Sequence, residues 1–243
     1  RRGQVVALIK VGFLKRLESS TVAFDHSCQN LFIKLLTFIE RHATSDQDRR
    51  RLDRWKDQHA DVIAHVAKGQ AAWGDDEEDA GEDLITPEML EADEVLDDGT
   101  YRVGEIIDET YLDLDQLSRL IEILKEFTPE QDGKLSALLD LVKTDPVLRD
   151  HKLLIFSEFQ KTARYLCENL RAAGYTNVEQ VDSTTKLGRG DVIKRFAPYY
   201  NGSSSSELAK AGEAETRILV STDVLSEGLN LQDATRLINY DLH

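Results

Sequence analysis

Two short runs toward the carboxyl end of the chain bring together groups that could hold phosphate. Ser221-Thr222-Asp223 directly follows the apolar run 218–220, and Glu227-Gly228-Leu229-Asn230-Leu231-Gln232 comes shortly after it. Hydroxyls at the end of a strand can donate to phosphate oxygens, and a neighbouring carboxylate can orient an arginine. Gly228 allows the backbone to turn or to approach a ligand closely, with the Asn230 amide two residues on as a hydrogen-bonding group. The same hydroxyls would serve equally well as caps of a following helix, so residue types alone leave both readings open.

The elements that would position these residues alternate between strands and helices. The apolar run 152–156 leads to a helix with Phe159, Ala163, Leu166 and Leu170 on one face and a stop at Gly174. A second strand is expected at 178–181, a helix at 191–196, a third strand at 218–220 and a fourth at 237–240. Continuously apolar strands separated by helices predict an α/β fold whose parallel sheet is covered on both faces. Ligands of such sheets sit at the carboxyl ends of the strands. The residues there are polar: Ser157-Glu158, Asp182-Ser183-Thr184-Thr185 and Ser221-Thr222-Asp223. Residues 198–215, with serines at 203–206, read as a mobile surface loop.

The first part of the chain has a helical pattern instead. Val5, Leu8, Ile9, Phe13 and Leu17 form one stripe, and Ser19-Ser20 can cap a second helix carrying Phe24, Cys28, Leu31, Leu35 and Ile39 to about residue 43. A third helix is expected through Leu52, Trp55, His59, Ile63 and Val66, ending near Gly69. Trp55 falls on an apolar stripe and reads as core. Order resumes with an amphipathic helix over 106–124, and Thr128-Pro129-Glu130-Gln131 offers a cap, a first-turn proline and a capping-box glutamine for a helix through Leu135, Leu138, Leu139 and Val142. The expected division is an all-helical region at 1–73, an acidic flexible insertion at 74–104, and an α/β domain at 105–243 with a helical lead-in over 105–145.

Charge is sorted by segment. The formal net charge is −15, which argues against gripping nucleic acid through bulk charge. Yet residues 1–56 are rich in Lys and Arg, Lys15 and Arg16 among them, whereas 74–98 contains no Lys or Arg. No apolar run approaches the ~20 residues that cross a bilayer, and the first residues lack the pattern of a secretory signal, so a cytoplasmic location and no membrane partner are expected. Cys28 and Cys167 lie far apart outside any metal-ligand spacing and read as small core residues; the six histidines show no ligand spacing, and no metal site is expected.

The string STDVLSEGLNLQDATRLINYDLH resembles motif V and the following strand of superfamily 2 helicases and translocases, including the bacterial Swi/Snf-like group. KLLIFSEFQKTARYLCENL is similar to the motif IV strand and helix, DSTTKLGRGDVIKRF to the next strand end and its Arg-bearing helix, and LIKVGFLKRLESSTVAF to the helical segment preceding this domain in the Swi/Snf-like group. The resemblance covers about residues 15–25 and 132–243 and implies a RecA-like C-terminal helicase domain. It implies nucleic-acid backbone contacts for Ser157, Glu158, Arg189, Ser221 and Thr222, with Lys15 and Arg16 as basic residues near phosphate. Asp223 would hold an arginine of the next motif, and Gly228 and Asn230, with Glu227 beside them, would meet the ATP ribose or phosphates. Leu229-Asn230 departs from the Asp or Gly-Ile-Asn that follows the motif V glycine in many relatives. Glu227 stands where the DEAD-box branch is basic, which favours the Swi/Snf-like branch and DNA over RNA.

No Gly-x-x-x-x-Gly-Lys-Ser/Thr occurs in the chain. The phosphate-binding loop, the Mg²⁺-binding carboxylates and the arginine-finger motif are therefore expected on other parts of an intact ATP-hydrolysing motor, including an N-terminal RecA-like domain as partner, and the 243 residues alone are expected to be inactive. The competing expectation is a non-enzymatic protein-interaction module built from a helical domain and a small α/β domain.

Overall fold

The computed structural model describes residues 2–73, 102–182, 188–222 and 230–241, with side chains for all of these except 2–9 and 72–73. The chain divides into two compact units. Residues 1–13 and 24–127 form one, and residues 14–23 and 128–243 the other.

The helical unit contains most of α1 (Arg2–Ser19) and α2 (Thr21–His42), all of α3 (Asp46–Gln58) and α4 (Ala60–Trp73), and α5 (Val103–Lys125). Its core joins Cys28, Phe32 and Ile39 of α2 to Leu52 and Trp55 of α3, Val62 and Val66 of α4, and Val103, Ile107, Tyr111, Leu114 and Ile121 of α5. Burying these side chains is what holds short helices together, since isolated helices of this length are marginal in water. Trp55 is core, as expected, and its indole N–H donates to Asp115 at 2.7 Å, so the buried ring keeps a polar partner. The single helix expected through Trp55 and Val66 is two helices. His59 interrupts it: its N–H reaches back to Lys56 and Trp55, and its ring stacks on Trp55 at 4.2 Å. The helix 106–124, read from sequence as a lead-in to the α/β domain, lies with the helical core, because its apolar stripe packs there. Nearly all of the acidic stretch 74–104 lies outside the described residues.

The second unit is an α/β domain of α6 (Gly133–Thr144), α7 (Pro146–Asp150), β1 (Leu153–Phe156), α8 (Gln160–Ala172), β2 (Val178–Val181), α9 (Arg189–Phe196), α10 (Ser205–Lys210), β3 (Ile218–Ser221) and β4 (Arg236–Asn239). The strands lie in the order β2-β3-β1-β4 and every pairing is parallel, with Phe156 level with Ser221 and Asn239. One face buries Leu153, Ile155, Val178, Ile218 and Val220 against α6 and α8. The other buries Val181 and Leu219 against Ile193 and Phe196 of α9. Apolar residues facing both ways make the central strands continuous hydrophobic runs, and the expected parallel sheet with flanking helices is the one observed.

Local signals explain the boundaries. Gly174 ends α8 at φ +97°, a left-handed conformation that costs a glycine little, and the Tyr175 N–H closes the turn onto Leu170. Thr128-Pro129-Glu130-Gln131 forms a separate 3₁₀ turn, Pro129–Gln131, in which the Gln131 side chain accepts from the Thr128 N–H at 3.0 Å. The helix itself starts one turn later, capped by Asp132, whose carboxylate accepts from the Leu135 N–H at 2.9 Å. The expected loop 198–215 contains a 3₁₀ turn and α10, because Ser204 caps the helix and Leu208 is buried beneath it.

Both cysteines are buried, and burial pushes their thiols up, Cys28 to about 12 and Cys167 to about 11. Each therefore stays a protonated, poorly nucleophilic thiol at neutral pH. Native protein at pH 7.5 should react with neither equivalent of a thiol-specific disulfide reagent over minutes, and both should react in denaturant; rapid labelling under native conditions would contradict this packing.

Candidate functional site

The parallel register brings the polar residues that follow β1, β2, β3 and β4 to one edge of the sheet. Backbone bonds tie these ends together. The Ser157 N–H donates to Ser221 O at 3.0 Å, the Tyr240 N–H to Phe156 O at 2.8 Å, and the Thr222 N–H to Val181 O at 3.4 Å.

Ser157 is fully buried, and its hydroxyl donates to Asp241 Oδ2 at 2.8 Å. The same oxygen accepts the Glu158 N–H at 2.6 Å. Ser221 is also fully buried, and its hydroxyl lies within bonding distance of Val181 O (3.0 Å) and Thr222 O (2.9 Å). In this conformation both serine hydroxyls brace strand ends from within. What they position is the backbone of the 157–159 turn and Thr222, the residue that follows β3.

The other candidate residues distribute as follows. The Arg189 guanidinium donates to Asp182 O at 2.8 Å, joining the start of α9 to the end of β2. The Glu158 side chain is half-buried, and its carboxylate is 3.7 Å from Lys15 Nζ. Arg16 is buried, with its guanidinium 5.4 Å from the centre of the Phe159 ring. Asn230 is half-buried; its carbonyl oxygen accepts from Asn201 Nδ2 at 2.8 Å and its side-chain Oδ1 from the Gln232 N–H at 3.3 Å. With Oδ1 occupied, the Asn230 side chain presents its NH₂ as a donor. Asp223, Glu227 and Gly228 lie outside the described residues. Lys15, Arg16, Ser157 and Glu158 thus come together, and Ser221 and Thr222 adjoin them across β1 and β3.

Sequence reading missed Asp241 and Lys134. Asp241 is 3% exposed, its Oδ1 lies 3.7 Å from Lys134 Nζ, and that ammonium also sits 4.0 Å above the Tyr240 ring. Lys134 further donates to the carbonyls of Glu18 at 2.6 Å and Ser19 at 3.0 Å. Burial lowers the Lys134 pKa, and the Asp241 carboxylate opposes that shift. Asp241 could have been found by applying to β4 the rule that selected Ser157, Asp182 and Ser221, a polar residue just beyond a strand. Lys134 carries no such signal, because its partners come from distant segments.

Among the described residues, no group of three or more His, Cys, Asp or Glu could hold a metal ion. Residues 133–243 match the family model of the helicase conserved C-terminal domain. An uncharacterized ATP-dependent helicase of Bacillus subtilis, YqhH, is 30% identical over 131 residues, 54% of this chain and 20% of that protein. Eukaryotic initiation factor 4A of Dictyostelium discoideum is 26% identical over 113 residues, 46% of this chain and 24% of its own. The ATP-dependent RNA helicase eIF4A of Aspergillus niger is 28% identical over 125 residues, 50% and 27% of the two chains. The matched lengths therefore span about a quarter or less of the first two relatives. The C-terminal part of the Fun30 ATPase domain is a solved structure with a TM-score of 0.37 and 18% identity, covering 89% of this chain and 72% of that one.

The Asp241 carboxylate carries two short hydrogen bonds and one ion pair, so Asp241→Asn should destabilise the α/β unit by about 1.5–3 kcal/mol, the range for hydrogen bonds to a charged group. A urea titration followed by circular dichroism checks this, and an unchanged midpoint would show that the network contributes nothing to stability.

Proposed function

We propose that the α/β unit, matched over 133–243 to the helicase conserved C-terminal domain, is the second RecA-like domain of an ATP-driven DNA helicase or translocase of the bacterial Swi/Snf-like group. The observation that carries this reading is the coincidence of that match with the sheet edge where Ser157, Glu158, Ser221 and Thr222 converge. In this role the domain contributes one wall of a cleft and one stretch of nucleic-acid contact. The 157–159 turn and Thr222 would approach the backbone phosphates, with Arg189 at the neighbouring strand end. The N–H groups of residues 157–159 and Thr222 are already bonded within the protein, so the contacts would fall to side chains such as the Thr222 hydroxyl, which read the backbone and not the bases and suit a motor that must act on any sequence.

Asn230 would offer its NH₂ to the ATP ribose or phosphate oxygens, beside Gly228 and Glu227, and Asp223 would orient an arginine of the next motif. ATP supplies the phosphoanhydride whose hydrolysis drives opening and closing of the cleft. Mg²⁺ would arrive with the nucleotide, whose phosphates supply part of its coordination. The phosphate-binding lysine would belong to a first RecA-like domain, since this chain has no Gly-x-x-x-x-Gly-Lys-Ser/Thr. DNA is favoured over RNA by the similarity of residues 15–25 to the Swi/Snf-like segment and by Glu227.

The test uses the intact protein. Thr222→Ala and Asn230→Ala should each lower DNA-stimulated ATP hydrolysis by about 10-fold, equivalent to one lost interaction of ~1.4 kcal/mol at the transition state, with the thermal unfolding curve retained. Wild-type turnover in both variants would refute the site assignment. Stimulation by RNA in place of DNA would reassign the substrate, and an intact protein with no nucleotide turnover would favour an interaction module.

A further inference from the structure

The junction between α1 and α2 is part of the α/β unit although more than a hundred residues separate it from the rest of that unit. Ser20 alone lies between the two helices. Its N–H closes the end of α1 by donating to Arg16 O at 2.9 Å, and its hydroxyl accepts the Ala23 N–H of α2 at 3.1 Å. Those bonds stay within the junction, and its two serine hydroxyls also meet one residue beyond it. Ser19 Oγ and Ser20 Oγ lie 2.8 Å and 2.7 Å from Thr162 Oγ1, and all three residues are buried.

Thr162 is the third residue of α8, the helix that follows the 157–159 turn directly. The junction also holds the turn itself. Lys15 faces the Glu158 carboxylate, and Arg16 covers the Phe159 ring. From the other side Lys134 caps the last carbonyls of α1, where a cation meets the negative end of the helix dipole, while pairing with the Asp241 that holds Ser157 and the Glu158 N–H. Each residue of the turn thus has its own tether, and the tethers converge on the junction and Asp241.

We propose that residues 15–20 are a clamp that positions the 157–159 turn, with Thr162 and Lys134 as its receivers, so that Lys15, Arg16, Ser19 and Ser20 act on nucleic acid through the turn and not by touching phosphate. Arg16 is only 7% exposed, which suits a ring-covering group better than a phosphate contact. The buried hydroxyls carry more of the clamp than the half-exposed Lys15–Glu158 pair, because water screens the latter. The clamp stands on geometry alone; its consequence for nucleic acid rests on the helicase reading.

The two are tested separately. Thr162→Val keeps the shape and removes the hydroxyl; Thr162→Ser keeps the hydroxyl. Hydrogen–deuterium exchange in the 156–160 segment should rise about 3- to 10-fold in the valine variant, return to wild type in the serine variant, and leave β2 unchanged. Unchanged exchange at 156–160, or a uniform rise across the domain, overturns the clamp. In the intact protein the valine variant should need more DNA for half-maximal ATPase while its rate at saturating DNA is kept. A lost rate with unchanged DNA dependence overturns positioning. If the wild type neither binds DNA nor hydrolyses ATP, the helicase reading fails, and the exchange result still decides the clamp.

Discussion

One carboxylate oxygen organises the edge of this sheet. Asp241 Oδ2 accepts both the Ser157 hydroxyl and the Glu158 N–H, so the end of β4 and the turn after β1 form a single bonded unit. A parallel sheet fixes its strand ends only through backbone pairing, which stops where the strands stop. Side chains must then define the loops beyond. Here the carboxylate supplies that definition, and its burial makes the bonds stronger and the loss of either partner more costly. The ammonium of Lys134 offsets the buried charge and carries the constraint on to the carbonyls of Glu18 and Ser19.

The division of the chain follows from the same logic. Residues 14–23 lie with the α/β unit because their polar groups find partners there, whereas the stripes of α2 to α5 bury one another in a separate core. Hydroxyl-to-hydroxyl bonds and a cation at a helix end suit a docked junction, and apolar stripes suit a helical core. A helical region can therefore sit between residues 23 and 128 without altering the sheet, whose own elements all come from 128 onward together with the junction.

Strand positions along the chain and the stop at Gly174 were legible because they depend on local pattern, whereas the order of the strands in the sheet does not. The four apolar runs and Gly174 fall where the sequence puts them. Trp55 and both cysteines read correctly as core for the same reason. The break at His59 was not legible, since no glycine or proline marks it and the apolar stripe continues through it. The cap of α6 was misplaced by one turn because Thr128 and Asp132 are both good caps, and only the packing of Leu135 selects the second. In the site, the strand-end rule found Ser157 and Ser221 but not the direction of their hydroxyls, which depends on Asp241, Val181 and Thr222. Lys134 was invisible because its role arises from contacts 106 to 116 residues apart in sequence.

A net charge of −15 constrains how such an edge could hold a polyanion. The chain's summed charge does not attract a polyanion, so any contact with a phosphate backbone has to be made at short range, where a few polar groups outweigh the distant field within a Debye length of about 8–10 Å. Polar side chains such as the Thr222 hydroxyl meet that requirement without adding charge, but they work only when held in place, because a mobile donor loses to water. That makes rigidity of the turn more valuable here than additional lysines. The basic residues of the junction face the turn: buried Arg16 covers Phe159 and exposed Lys15 pairs with Glu158. A cation that fixes the geometry of several polar groups contributes more to recognition than the same cation exposed to solvent and screened.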